Sequence, residues 1–277
     1  MLPTVPYVQE LPSYPTPPFL YLVSLDETNH HLQAIQDGAI IGFDMEGCQV
    51  NRAKLSKSGK KARLDQQIRD VRSNNFTIDW TDVETCLVQI VTQGGATFVI
   101  NLNVMKAMPD ELRRICESTT ITKVSAGIVA DGIRLWDDFR IQLHSAVSLG
   151  LLARLAYPTE LVGDVAFLHE PSLGIIIHHT LGFKLEKGER RSNWRAIPLK
   201  ESQKNYAACD PHASLAAYNV LQGFIAARGA PVERSWYCFD VVYRQRAVEG
   251  DHVRSWTPSC PWWSAAGFFK GFDYATQ

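Results

Sequence analysis

The run Ile40-Ile41-Gly42-Phe43-Asp44-Met45-Glu46-Gly47 constrains this chain more than any other stretch, because it sets two acids two positions apart at the end of an apolar segment. Side chains alternate faces along a β-strand, so Asp44 and Glu46 point one way while Ile41, Phe43 and Met45 point into the opposite layer. Two carboxylates on one face repel, and burying an uncompensated charge costs roughly several kcal/mol. Hard divalent cations, which prefer carboxylate oxygens, relieve that cost. A strand end wetted by solvent relieves it too, and D-x-E alone does not choose between the two.

At 277 residues and 45% hydrophobic content, the chain can bury a full core. Its net charge of −1 is unevenly spread: between Asn51 and Arg72 eight basic residues (Arg52, Lys54, Lys57, Lys60, Lys61, Arg63, Arg69, Arg72) face only Asp65 and Asp70. This basic run leaves the strand that carries the acids and belongs to a connection of nearly forty residues, long for a compact domain. Two readings stand for it, a nucleic-acid contact and a solvated cationic loop. The six cysteines show no metal-ligand spacing and are read as reduced core thiols. No apolar run reaches the ~18 residues of a membrane span, and prolines break the first twenty residues, so an intracellular protein of nucleus or cytoplasm is expected.

In chain order, residues 1–18 form a Pro-rich lead-in, extended or docked on a partner. A strand is expected over 19–23 and a helix over 24–35, opened by the capping box Ser24-Leu25-Asp26-Glu27. After the acidic strand come strands over 85–92 and 97–100, joined at Gly94-Gly95 as an antiparallel hairpin. A helix over 109–117, a strand over 122–127 and a helix over 129–139, with Asp131 in its first turn, follow. Then come a strand over 141–146, helices over 148–155 and 172–181, and a long helix from Glu201. Mixed elements in this order predict an α/β sheet covered on both faces. His178 and His179 are neighbours on a helix, point to different sides, and are read as structural. On the last helix Tyr206 and Asp210 lie four apart and share a face, with Ala207 and Ala208 leaving room for a bulky neighbour. A tail over 229–277, dense in aromatics (Trp236, Tyr237, Phe239, Trp256, Trp262, Trp263, Phe268, Phe269), either stacks bases or packs on the main domain.

Three blocks in sequence, "IGFDMEG", "KVSAGIVADGIRLWDDF" and "RSNWRAIPLKESQKNYAACD", with "LVQIVT" and "TFVINL" between the first two, resemble the DEDDy 3'-5' exonucleases, the group of ribonuclease D and the Werner syndrome exonuclease domain. The resemblance covers about residues 19–228. It implies a ribonuclease H-like fold with a central mixed five-stranded sheet flanked by helices, a basic insertion at about 48–80, and an aromatic-rich extension at 229–277. It also implies the site: Asp44, Glu46, Asp131 and Asp210 as ligands of two divalent ions, Mg2+ or Mn2+, and Tyr206 orienting the attacking water. Lys123, Lys187, Arg191, Asn193 and Trp194 are the expected substrate contacts. The implied activity is removal of nucleoside 5'-monophosphates from the 3' end of DNA or RNA. The competing reading is a nucleic-acid-binding or scaffold protein that keeps the fold without cutting. The sequence departs from the family pattern at Ser125-Ala126, in the length of the insertion, and at Pro211, which removes a helical donor and is expected to kink the helix beside Asp210.

Overall fold

The computed structural model describes residues 11–48, 78–157, 170–228, 232–245 and 252–255. The basic run at 51–72, the first ten residues of the lead-in, and Trp256, Trp262, Trp263, Phe268 and Phe269 of the tail lie outside them.

The frame is a mixed sheet. Its strands are β1 (Leu20–Leu22), β2 (Ile40–Gly47), β3 (Thr85–Thr92), β4 (Thr97–Asn101), β5 (Thr122–Ser125), β6 (Leu143–Ser148), β7 (Cys238–Gln245) and β8 (His252–Ser255). They lie in the order β1-β4-β3-β2-β5-β6-β7-β8. The middle five are the mixed sheet expected from the sequence: β4, β3 and β2 antiparallel, then β5 and β6 parallel to β2. Three edge strands extend these five: β1, which matches the strand expected over 19–23, and β7 and β8, which lie in the expected C-terminal extension. β1 runs parallel beside β4, and β7 pairs antiparallel with β6, Ala146 opposite Phe239. The start of the C-terminal extension therefore continues the sheet, because Tyr237, Phe239 and Val241 are buried in the main core. Trp236 packs against the same core, so Trp236, Tyr237 and Phe239 of the tail are packing residues.

β3 is buried from Thr85 to Val91, as the strand of a sheet covered on both faces must be. Its helices are α1 (Leu25–Leu32), α2 (Leu102–Met105), α3 (Asp110–Glu117), α4 (Ile128–Phe139), α5 (Leu149–Ala156), α6 (Leu173–Leu181) and α7 (Glu201–Arg228). Two differ from expectation. The capping box does not form: Ser24 is the N-cap of α1 but makes no side-chain cap, and instead its carbonyl accepts from the Thr28 hydroxyl at 2.6 Å. The short α2 has no apolar repeat to announce it and is held by Asn101, whose Oδ1 accepts from the Val104 N–H at 2.9 Å.

α7 crosses the sheet over β2, β3, β4 and β5. It runs through Pro211 without ending there. Gly42 explains the closeness of the crossing: a Cβ on that residue would lie 2.1 Å from the Pro211 carbonyl oxygen. Ala207 and Ala208 are fully buried on the same side, in a cluster with Leu87, Val99 and Trp194. The bulky neighbour those alanines admit is thus the sheet and Trp194.

Candidate active site

Asp44 and Glu46 stand at the C-terminal end of β2, and α7 brings Asp210 over them. One carboxylate oxygen from each of Asp44, Glu46 and Asp210 lies within 4.8 Å of the others, the spacing of a cation site. Asp131, buried in the first turn of α4, adds its charge to Asp44 and Glu46 from the neighbouring β5–α4 junction. A site at the carboxyl ends of adjacent parallel strands is the usual location in open α/β sheets.

Of the acids on α4, Asp138 and Asp131 are set apart by their partners. Asp138 Oδ2 accepts from the Glu84 and Thr85 N–H groups and from the Thr85 hydroxyl, at 3.1, 2.8 and 2.7 Å, which ties α4 to the start of β3. Among the described residues Asp131 receives a single 3.4 Å contact, from Ser125 Oγ, which leaves its carboxylate lone pairs for a ligand. Ser125, where the sequence departs from the family pattern, is thus the residue that steadies Asp131.

The electrostatics are those of crowded acids. Burial pushes Asp44 up to about 6. Burial and the charges of Asp44 and Asp210 push Glu46 up to about 9, with Arg134 opposing. Asp210 rises to about 8 through burial and Asp44, opposed by the Tyr206 hydrogen bond and by Arg190. Asp131 is raised well above the usual carboxylate range by burial and Asp44. Such a set takes up cations in place of protons, which is how the residues present fit a divalent metal. Tyr206 donates to the Asp210 carboxylate, and burial with the surrounding acids raises its hydroxyl far above the usual phenol value, so it stays protonated.

The structure places the expected substrate contacts unevenly. Lys123 is fully buried, its Nζ donating to the Ser118 and Ile121 carbonyls at 2.7 and 2.8 Å. Burial lowers its pKa to about 8. It pairs with Ile41, about 10 Å of strand before Asp44. A phosphate cannot reach it, so its expected substrate role is corrected to a structural one. Trp194 is likewise fully buried, its ring centroid 6.1 Å from that of Tyr206. It supports the tyrosine from behind and does not offer a stacking face. Lys187 and Arg191 are exposed. Asn193 is also exposed, and its Oδ1 accepts from the Cys48 thiol at 3.7 Å, beside the strand end that carries the acids. That wall is fastened to α7 by Gln203, whose Nε2 donates to Ser192 Oγ and the Asn193 carbonyl. His178 and His179 are exposed on α6, outside the acid cluster.

Two cations were missed by sequence reasoning. Arg134, one turn after Asp131 on α4, reaches the Met45 carbonyl at 3.5 Å and faces Asp44, Glu46 and Asp131. Its signal was the i, i+3 spacing from Asp131. Arg190, not its neighbour Arg191, is the guanidinium that faces Asp210.

Comparison with known proteins agrees with this geometry. A family profile described as 3'-5' exonuclease matches residues 73–225, more than half of the chain. The match includes Asp131, Tyr206 and Asp210, while Asp44 and Glu46 precede it and join through β2. The mouse bifunctional 3'-5' exonuclease/ATP-dependent helicase WRN is 28% identical over 190 residues, 68% of this chain but 11% of the mouse protein. The Nibbler EXO domain of Aedes aegypti superposes with a TM-score of 0.55 at 18% identity, covering 76% of this chain and 89% of that one. Escherichia coli RNase D gives 0.52 at 18% identity, with 76% of this chain and 46% of that one covered. The two structural likenesses concern the fold.

Proposed function

Because the chain belongs to the 3'-5' exonuclease family, we propose that it hydrolyses the terminal phosphodiester at the 3' end of DNA or RNA and releases nucleoside 5'-monophosphates. The observation that carries this reading is the convergence of Asp44, Glu46 and Asp210 oxygens within 4.8 Å, with Tyr206 hydrogen-bonded to Asp210. Asp44, Glu46, Asp131 and Asp210 would hold two divalent ions, Mg2+ or Mn2+. Bound there, the ions lower the pKa of the attacking water and neutralise charge at the scissile phosphate.

The chain's own residues do the rest. Tyr206 keeps its proton and stands four residues before Asp210, so its hydroxyl orients the incoming water toward phosphorus. The Asp210 carboxylate beside it accepts a hydrogen bond and aligns the same water. Trp194 and the Gln203-anchored wall fix the tyrosine ring. Arg134, which faces Asp44, Glu46 and Asp131, and Arg190, which faces Asp210, offset the phosphate's negative charge as the 3' oxygen leaves. The basic run at 51–72 supplies further phosphate contacts, and replacing its lysines and arginines with neutral residues flattens the salt dependence of binding.

Digestion of 5'-labelled single-stranded DNA, single-stranded RNA and a recessed duplex, each with Mg2+, Mn2+ or chelator, tests the proposal beside Asp44→Ala. A metal-dependent ladder shortening from the 3' end, absent in the variant, is expected. Intact label with a gel shift in every metal would replace the enzyme with a binding protein on the same fold.

A further inference from the structure

Gln89 sits in the middle of β3 with no exposure at all. Its neighbours along the strand, Leu87, Val88, Ile90 and Val91, are buried and apolar. Neither Oε1 nor Nε2 of its carboxamide has a hydrogen-bond partner among the described residues. A buried amide left unpaired is destabilising, and a methionine or leucine would fill this place without that penalty. A glutamine kept at this place therefore points to a polar partner within its reach.

The sheet register identifies the partner. Gln89 lies opposite Asp44 on β2 and opposite Val99 on β4. Directly opposed residues send their side chains to the same face with Cβ atoms roughly 4.5–5.5 Å apart. Val99 has no polar side-chain atom to offer, and the α7 residues of its cluster are Ala207, Ala208 and the part-buried Tyr206, whose hydroxyl is engaged with Asp210. Among these side chains the Asp44 carboxylate is the charged acceptor, and the register sets it directly opposite Gln89, at a separation that the length of a glutamine side chain spans.

We propose that Gln89 is a positioning residue of the site, donating from Nε2 to the Asp44 carboxylate when cations occupy the cluster and so fixing the orientation of that carboxylate among the acids that would hold them. The inference rests on the metal-dependent reading above. Hydrogen bonds of this kind commonly change metal affinity by about 10–100-fold.

The test uses the full chain with Gln89→Met, Gln89→Asn and Asp44→Asn beside the wild type. Mn2+ affinity is read by titration calorimetry, the thermal midpoint in chelator by calorimetry, and kcat and KM on a labelled oligonucleotide. Gln89→Met is expected to hold or raise the midpoint in chelator, weaken Mn2+ by about 10–100-fold, and lower kcat while KM is unchanged. Gln89→Asn keeps the amide but withdraws it by one methylene. It is expected to weaken Mn2+ as well, and it decides the matter if Gln89→Met folds poorly. Mn2+ affinity within twofold of wild type in the folded variants would overturn the inference and leave Gln89 as the lining of a buried water site. If Asp44→Asn also binds Mn2+ normally, the metal site itself has been misassigned. Loss in Asp44→Asn alone defeats only the role of Gln89.

Discussion

Glu46 is pushed up by burial and by three neighbouring acids, Asp44, Asp210 and Asp131, and its substitution separates stability from function. In an unfolded chain a glutamate titrates near ~4.3, whereas here burial, Asp44 and Asp210 hold it at about 9. The folded state therefore binds the extra proton between those values. Stability attributable to this group is fully present below the unfolded pKa and is lost as pH rises toward 9. Glu46→Gln removes that loss. In chelator it is expected to raise the thermal midpoint at pH 8 by roughly 2–4 °C, as about 1 kcal/mol would, and to change little at pH 4. The same variant is expected to lose divalent-ion binding, read by calorimetry. An equal midpoint at pH 8 would contradict the account of crowded acids. Tyr206→Phe probes a different role: with the metal ligands intact, turnover falls by about 10²-fold while Mn2+ affinity holds, the split expected of a group that orients water.

At the scale of elements, the site depends on how closely α7 approaches β2. Asp44 and Asp210 belong to different elements, and their spacing is set by the contact of Pro211 with Gly42. Gly42→Ala would place its Cβ 2.1 Å from the Pro211 carbonyl oxygen, so the helix must move. We expect about 1–3 kcal/mol of destabilisation in denaturant titrations together with weaker Mn2+ binding. Gly94→Ala is the control, since the nearest atom to its added Cβ is Thr92 Oγ1 at 3.8 Å. If Gly42→Ala binds Mn2+ as tightly as Gly94→Ala, the crossing does not set the site. The kink expected at Pro211 is of no consequence for Asp210, because the helix continues through it and Asp210 stays with Asp44 and Glu46.

For the whole molecule, protons and cations compete for one cluster. Asp44, Asp210 and Glu46 rise to about 6, 8 and 9, so the apparent affinity for Mg2+ or Mn2+ is expected to increase as pH rises from 6 to 9. Mn2+ at about 100 times its Kd adds about 2.7 kcal/mol of stability for one site. Melting curves with and without Mn2+ at pH 6 and pH 9 check this. A stabilisation that shrinks as pH rises would exclude proton competition. Among the described residues no helix is long and apolar enough to cross a membrane.

Sequence determined what is local and repeated: the alternation of β2, the helical spacing of Tyr206 and Asp210, and the order of the acid-bearing blocks that marks the family. The β-branched and aromatic run Phe239-Asp240-Val241-Val242-Tyr243 also announced β7, although it was read as part of an appendage. Only tertiary structure decided which charged and aromatic side chains face outward. Lys123 and Trp194 have the chemistry of phosphate and base contacts, yet their strand and loop turn them into the core. Gln89 stood in the sequence without a marker and Arg134 with only its spacing from Asp131, because a guanidinium or a carboxamide becomes part of a site only when the β2–β3 register and the packing of α4 set it beside an acid. Residue type and spacing fix the available chemistry. Burial and register, which arise from contacts between segments far apart in the chain, fix where that chemistry is directed.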